Sequence, residues 1–99
     1  MVRHIVTWNF KERFTENENK ENAKKIKSSL EDLTQVVDGI IELTVCIAPL
    51  PSSNRDILLN SLFQNEEALS TYQTHPEHKK IGTFISTVLQ NRSCIDYNE

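Results

Sequence analysis

Residues 2–10, VRHIVTWNF, put Val2, His4, Val6, Trp8 and Phe10 on one side of an extended chain and Arg3, Ile5, Thr7 and Asn9 on the other. A period of two marks a strand buried on one face, and such a strand needs neighbours for its backbone and a layer over its apolar side. The covering layer comes next. After a polar approach rich in Asn and Glu, Ala23, Ile26, Leu30, Leu33 and Val37 recur at helical spacing with Lys, Ser, Glu and Asp between them. The spacing predicts an amphipathic helix whose stop is the glycine of Asp38-Gly39, and whose Lys- and Glu-rich part, Glu16 to Lys27, is a solvated face.

The neighbours follow. Residues 40–48, IIELTVCIA, set Ile41, Leu43, Val45 and Ile47 in one phase, and their β-branched content marks a second strand that PLPSSN ends. DILLNSLF, residues 56–63, is a third apolar run of strand length. NEEALSTY then opens a helix at Asn65, with Glu66 and Glu67 in its first turn. Thr74-His75-Pro76-Glu77 has the form of a capping box, with Pro76 where no intrahelical donor is needed. The helix it starts carries Ile81, Phe84, Ile85, Val88 and Leu89 as its stripe and runs to about Arg92; SCIDY, 93–97, is a fourth strand. This order predicts an α+β, ferredoxin-like βαββαβ domain over residues 1–99, a four-stranded antiparallel sheet with helices on one face. The other face carries Ile5, Ile40, Cys46, Leu58 and Leu62, and a face-to-face homodimer would cover it.

Composition excludes several partners. Hydrophobic residues at 37% and charged ones at 25% describe a globular chain. The net charge is −3 and Lys20, Lys24, Lys25 and Lys27 lie among glutamates, which argues against nucleic acid. No stretch approaches the roughly 18–20 apolar residues of a membrane span, and MVRHIVTWNFKE lacks a signal peptide's apolar core, so the expectation is no membrane and a cytoplasmic location. Cys46 and Cys94 lie far apart without metal-type spacing and are expected as reduced thiols.

The chemistry gathers in STYQTHPEHKK, where Tyr72, His75 and His78 lie within seven positions and include two of the chain's three histidines. His78 falls in a first helical turn, where the positive helix end disfavours protonation, so a neutral imidazole there can accept a proton. Tyr72 can donate to a carbonyl oxygen as charge develops on it. His4 shares the phase of Val6 and Trp8 and points at the helices. A purely structural account is also open: a histidine in a capping segment can bond the backbone, and His4 can be a core histidine holding Tyr72. A metal could use His75 and His78 with His4 and Glu77 or Asp96, but Pro76 pushes His75 out of helical geometry, so the pair does not share a face and no metal is expected.

The chain resembles the stress-responsive A/B barrel, or Dabb, domains through VRHIVTWNFKE, DILLNSLFQNEEALSTYQTHPEH and CIDYNE, most specifically in Tyr72-x-x-His75-Pro76-x-His78 taken with His4. The resemblance implies a dimeric α+β barrel. In the family's plant cyclase, a tyrosine and a histidine at the places of Tyr72 and His78 form the catalytic pair for an aldol-type ring closure, with the N-terminal histidine in the same cavity. It makes Tyr72, His78 and His4 candidate catalytic residues and Val6, Trp8, Leu30, His75 and Ile81 candidate ligand contacts, without a cofactor. Two functions remain: a homodimeric module that binds a small apolar or carbonyl-containing ligand between sheet and helices, or a cofactor-free cyclase or lyase. The cavity itself is informative, because a void of a few hundred Å³ suits a ligand and a filled interior suits the structural account.

Overall fold

The strand written into residues 2–10 becomes the spine of the sheet. The computed structural model describes residues 1–99. Its elements are β1 (Val2–Phe10), α1 (Glu16–Glu31), a 3-10 turn (Asp32–Gln35), β2 (Ile40–Cys46), β3 (Ile57–Phe63), α2 (Glu66–Thr74), α3 (Pro76–Val88) and β4 (Leu89–Asn98). The strands lie in the order β2-β3-β1-β4 and every neighbouring pair is antiparallel. β1 is therefore central, and its register sets His4 opposite Ser61 on one side and Asp96 on the other. No helix is long and apolar enough to cross a membrane.

The core fills the space between the sheet and the helices. Val6 and Trp8 of β1, Leu43 and Val45 of β2, and Ile57, Leu59 and Phe63 of β3 meet Ala23, Ile26 and Leu30 of α1, Leu69 and Tyr72 of α2, and Ile85 and Val88 of α3. Ile26 and Leu30 are fully enclosed, and burial of each stabilises the fold by about 1.5–3 kcal/mol. The far end of α1 is tied to the outer edge of β2: Val45 N–H donates to Glu31 Oε2 at 3.0 Å and Lys27 Nζ donates to Val45 O at 2.7 Å. Burial works to raise the Glu31 carboxyl, yet Lys27 and the Val45 N–H hold it below the usual carboxylate range. The clamp also occupies backbone groups that an edge strand would otherwise offer to another chain.

Several local expectations are corrected. α1 ends at Glu31, and the chain continues through the 3-10 turn with Leu33 and Val37 still buried, so Gly39 does not cap the helix. Gly39 adopts φ +90° on the way into β2, where an added Cβ would lie 2.6 Å from Ala68 Cβ. Ile41 is exposed, because the pairing steps from Ile40↔Phe63 to Glu42↔Leu62 and leaves Ile41 as an extra residue. That bulge turns Ile40 toward the core, away from the open face expected for it. Thr74 is no cap: it closes α2 with its hydroxyl donating to Ser70 O, and His75 caps α3 by accepting from Glu77 N–H at Nδ1, 3.1 Å. The capping box lies instead at Thr15 and Glu18, which exchange bonds of 3.1 and 2.9 Å and contribute about 1 kcal/mol. α3 stops at Val88, and Leu89 already has the extended backbone of β4, so Arg92 stands in a strand.

Candidate functional site

Between the helix-facing side of β1 and the inner faces of α1, α2 and α3 is a cavity of about 340 Å³. Its apolar wall is Val6, Trp8, Leu30, Leu59, Ile85 and Leu89. Trp8 lines the space without filling it. A polar cluster of His4, Tyr72 and His78 forms another part of the lining, and Ser86, Gln90, Asn91 and Arg92 form a further polar stretch where α3 passes into β4.

Each member of the cluster is placed by its own element. β1 alternation turns His4 inward, where it is buried, and Nδ1 donates to Asp96 Oδ1 at 2.5 Å. That bond sets the tautomer and leaves Nε2 for the cavity. Tyr72, in the last turns of α2, is 0% exposed. Its ring packs on Phe63 at 5.0 Å and on His78 at 4.4 Å between centroids, and lies 6.2 Å from His4. The Tyr72 hydroxyl is buried with no hydrogen-bond partner in the protein. His78 stands in the first turn of α3, which Pro76 and the His75 cap define.

The electrostatics divide the roles. Burial lifts the Tyr72 phenol well above the ordinary tyrosine range, Arg92 pulling weakly the other way, so Tyr72 is a hydrogen-bond donor. Burial pushes His78 below its ordinary imidazole value; a backbone bond at Gln73 opposes this, and His4, Arg92 and His75 add smaller depressions. A neutral His78 against a protonated Tyr72 can take a proton while Tyr72 donates to an oxygen.

The remaining candidates are scattered. Val6, Trp8 and Leu30 line the cavity with the cluster, whereas Ile81 sits in a shallower depression with Ser29, Asp32 and Leu33, and the His75 imidazole is spent on its cap. His75 and His78 therefore offer no paired ligands. The register instead gathers His4, Cys94 and Asp96, whose donor atoms lie within 4.8 Å of one another. Burial and Asp96 raise the Cys94 thiol, and Arg92, whose charge partly offsets them, disfavours a cation beside it. Ser86, Gln90, Asn91 and Arg92 were not foreseen as lining, because the apolar stripe through Leu89 read as continuous helix. The available signal was Asn91, a residue type that tolerates the left-handed backbone it adopts here, φ +56°.

A ferredoxin-like α+β domain with a ligand-sized cavity under its helices is the class that the fold and the site define. The chain belongs to the stress-responsive A/B barrel domain family, whose model matches residues 2–99. It is similar to a dimeric protein of unknown function and ferredoxin-like fold from Bacteroides fragilis, with 28% identity, a TM-score of 0.92, and coverage of 99% of this chain and 95% of that one. A Dabb family protein from Mesorhizobium loti shares the fold at 20% identity and a TM-score of 0.72, covering 99% and 95%. A hydroxynitrile lyase from Passiflora edulis shares it at 15% identity and a TM-score of 0.79, covering 99% and 94%. No curated protein matches the sequence.

Proposed function

We propose that the protein is a homodimeric binding module that holds a small, mainly apolar molecule bearing a carbonyl group in the cavity between sheet and helices. The Tyr72 hydroxyl carries this reading: it is buried, unpaired within the protein, and on a residue that lines the cavity. A buried unpaired hydroxyl costs about 1–3 kcal/mol, and a ligand carbonyl would complete it. The cavity volume of about 340 Å³ lies in the range of small-molecule sites. Differential scanning fluorimetry with a set of small aryl and alkyl ketones tests this. The parent is expected to gain thermal stability with a subset of them and Tyr72→Phe to lose that gain; no response from the parent to any ketone defeats the reading.

The same contacts favour a second reading, cofactor-free proton transfer. His78 would take a proton from the carbon beside the carbonyl, the electron pair would move onto the carbonyl oxygen, and Tyr72 would hydrogen-bond the resulting enolate. One neighbour by fold is described as a hydroxynitrile lyase. If a turned-over substrate is found, His78→Ala should slow it by roughly 100- to 10,000-fold.

Dimerisation is supported by the uncovered sheet face. Ile95 and Tyr97 of β4 are 59% and 44% exposed there, Ile95 pairs with Ile5, and Arg3 comes to the face already partnered by Glu42 and Glu99. The Bacteroides fragilis neighbour is described as dimeric. A cytoplasmic setting, in which the free Cys46 and Cys94 stay reduced, belongs to the same proposal.

A further inference from the structure

We infer that the ligand is an acid, with a carboxylate that pairs with Arg92 while its carbonyl meets Tyr72. This rests on the ligand-binding reading above and adds the chemical class of the ligand. The first support is the backbone that delivers Arg92. Between the pairs Thr7↔Ser93 and Asn9↔Gln90, β1 advances by one intervening residue and β4 by two, so β4 carries an extra residue. Asn91 pays for it with φ +56°, a conformation disfavoured for side chains larger than hydrogen. The extra residue resets the alternation. Leu89 can then enter the core while Cys94, opposite Val6, faces the same side, and Arg92 is brought into the cavity lining. The bulge is braced from outside: Arg55 Nη1 donates to Asn91 O and, at 3.2 Å, to Asn9 Oδ1. Bulges re-aim side chains and gather beside functional sites.

The second support is the missing countercharge. Arg3 is held by Glu42 and Glu99, and Lys27 by Glu31, but Arg92 takes part in none of the chain's ion pairs. Asp96, the acid nearest in β4 on that face, is bonded to His4. Arg13 and Arg55 are also outside the ion pairs, but neither lines this cavity, so Arg92 is its one guanidinium. Its charge reaches Tyr72 and His78, while at Cys94 the Asp96 carboxylate outweighs it. One planar guanidinium, with the neighbouring Asp96 already bonded to His4, suits a carboxylate monoanion held bidentately.

The test is a pair of probes that differ in charge, 4-oxo-4-phenylbutanoate and its methyl ester, titrated calorimetrically into the full chain and into Arg92→Gln and Arg92→Lys. The acid should bind the parent about tenfold more tightly than the ester. That preference, read as the ratio of acid to ester affinity, should vanish in Arg92→Gln and survive in part in Arg92→Lys. Equal affinity of acid and ester for the parent, or an acid preference that persists in Arg92→Gln, overturns the inference and leaves the ligand-binding reading standing. Failure of both probes to bind at millimolar concentration overturns the inference for this ligand class, and the ketone series decides separately whether the ligand-binding reading stands. The comparison within the parent needs no variant to fold.

Discussion

Replacing Tyr72 by Phe removes one oxygen from the most enclosed part of the site and should make the protein more stable. The ring contacts to Phe63 and His78, at 5.0 and 4.4 Å, survive the change. What is lost is a buried hydroxyl with no partner in the protein, whose desolvation costs about 1–3 kcal/mol. The small void left where the oxygen stood offsets part of that gain, so the expected gain is at the low end, about 1 kcal/mol. For a domain of this size that is a rise in Tm of roughly 4–8 °C. Urea unfolding and thermal melts should be run at one fixed protein concentration, because an oligomer's apparent stability depends on it. Ketone-induced stabilisation should disappear in the same variant. A Tyr72→Phe protein that is less stable than the parent by about 1 kcal/mol or more would mean that the hydroxyl has a structural partner, and the reasoning from its isolation would be refuted.

Three further outcomes are expected. His78 is depressed in the folded state, so the unfolded chain binds the extra proton more readily; stability from this source is complete above about pH 6.5 and is lost as pH falls through that value toward the folded one. His78→Gln should therefore lose less stability than the parent between about pH 7.5 and pH 5 in urea titrations, and an identical loss in both proteins would contradict this. Gly39→Ala forces a Cβ to 2.6 Å from Ala68 Cβ at φ +90° and should cost at least about 1–3 kcal/mol by the same assay; a neutral effect would show that the segment moves freely. Light scattering should give a dimer at micromolar concentration with an interface above about 1,000 Å², and Ile95→Asp should shift it to monomer with its secondary structure retained.

The alternation of β1 and the stripe of α1 were legible because each is decided locally, by which side of an element is apolar. The bulge at Ile41 was not, since an extra residue in β2 is defined only by what β3 places opposite it. The same holds at the end of α3. Val88 and Leu89 fit a helical stripe and a buried strand start equally well, and pairing of Leu89 with Phe10 decides between them. The capping pattern Ser/Thr-x-x-Glu occurs at Thr15 and at Thr74, but α2 continues through Thr74 and so takes its hydroxyl out of use. In the site, His4, Tyr72 and His78 could be singled out from residue type and phase. Asp96 as the partner of His4, and Arg92 as a wall of the cavity, follow from the β1–β4 register, which no local pattern encodes.

His4 and Asp96 lie 92 residues apart and are bonded side chain to side chain. Ring closure over so long a span is entropically slow, and contacts of this kind govern folding rates more than local ones do. A nascent chain emerging as far as α3 already holds Tyr72, His78 and most of the apolar wall of the cavity, yet lacks the strand that bonds His4 and supplies Leu89, Gln90, Asn91 and Arg92. If the proposed ligand-binding function holds, competence for it comes only with β4, and a cleaved or stalled polypeptide ending before Leu89 would present an incomplete site.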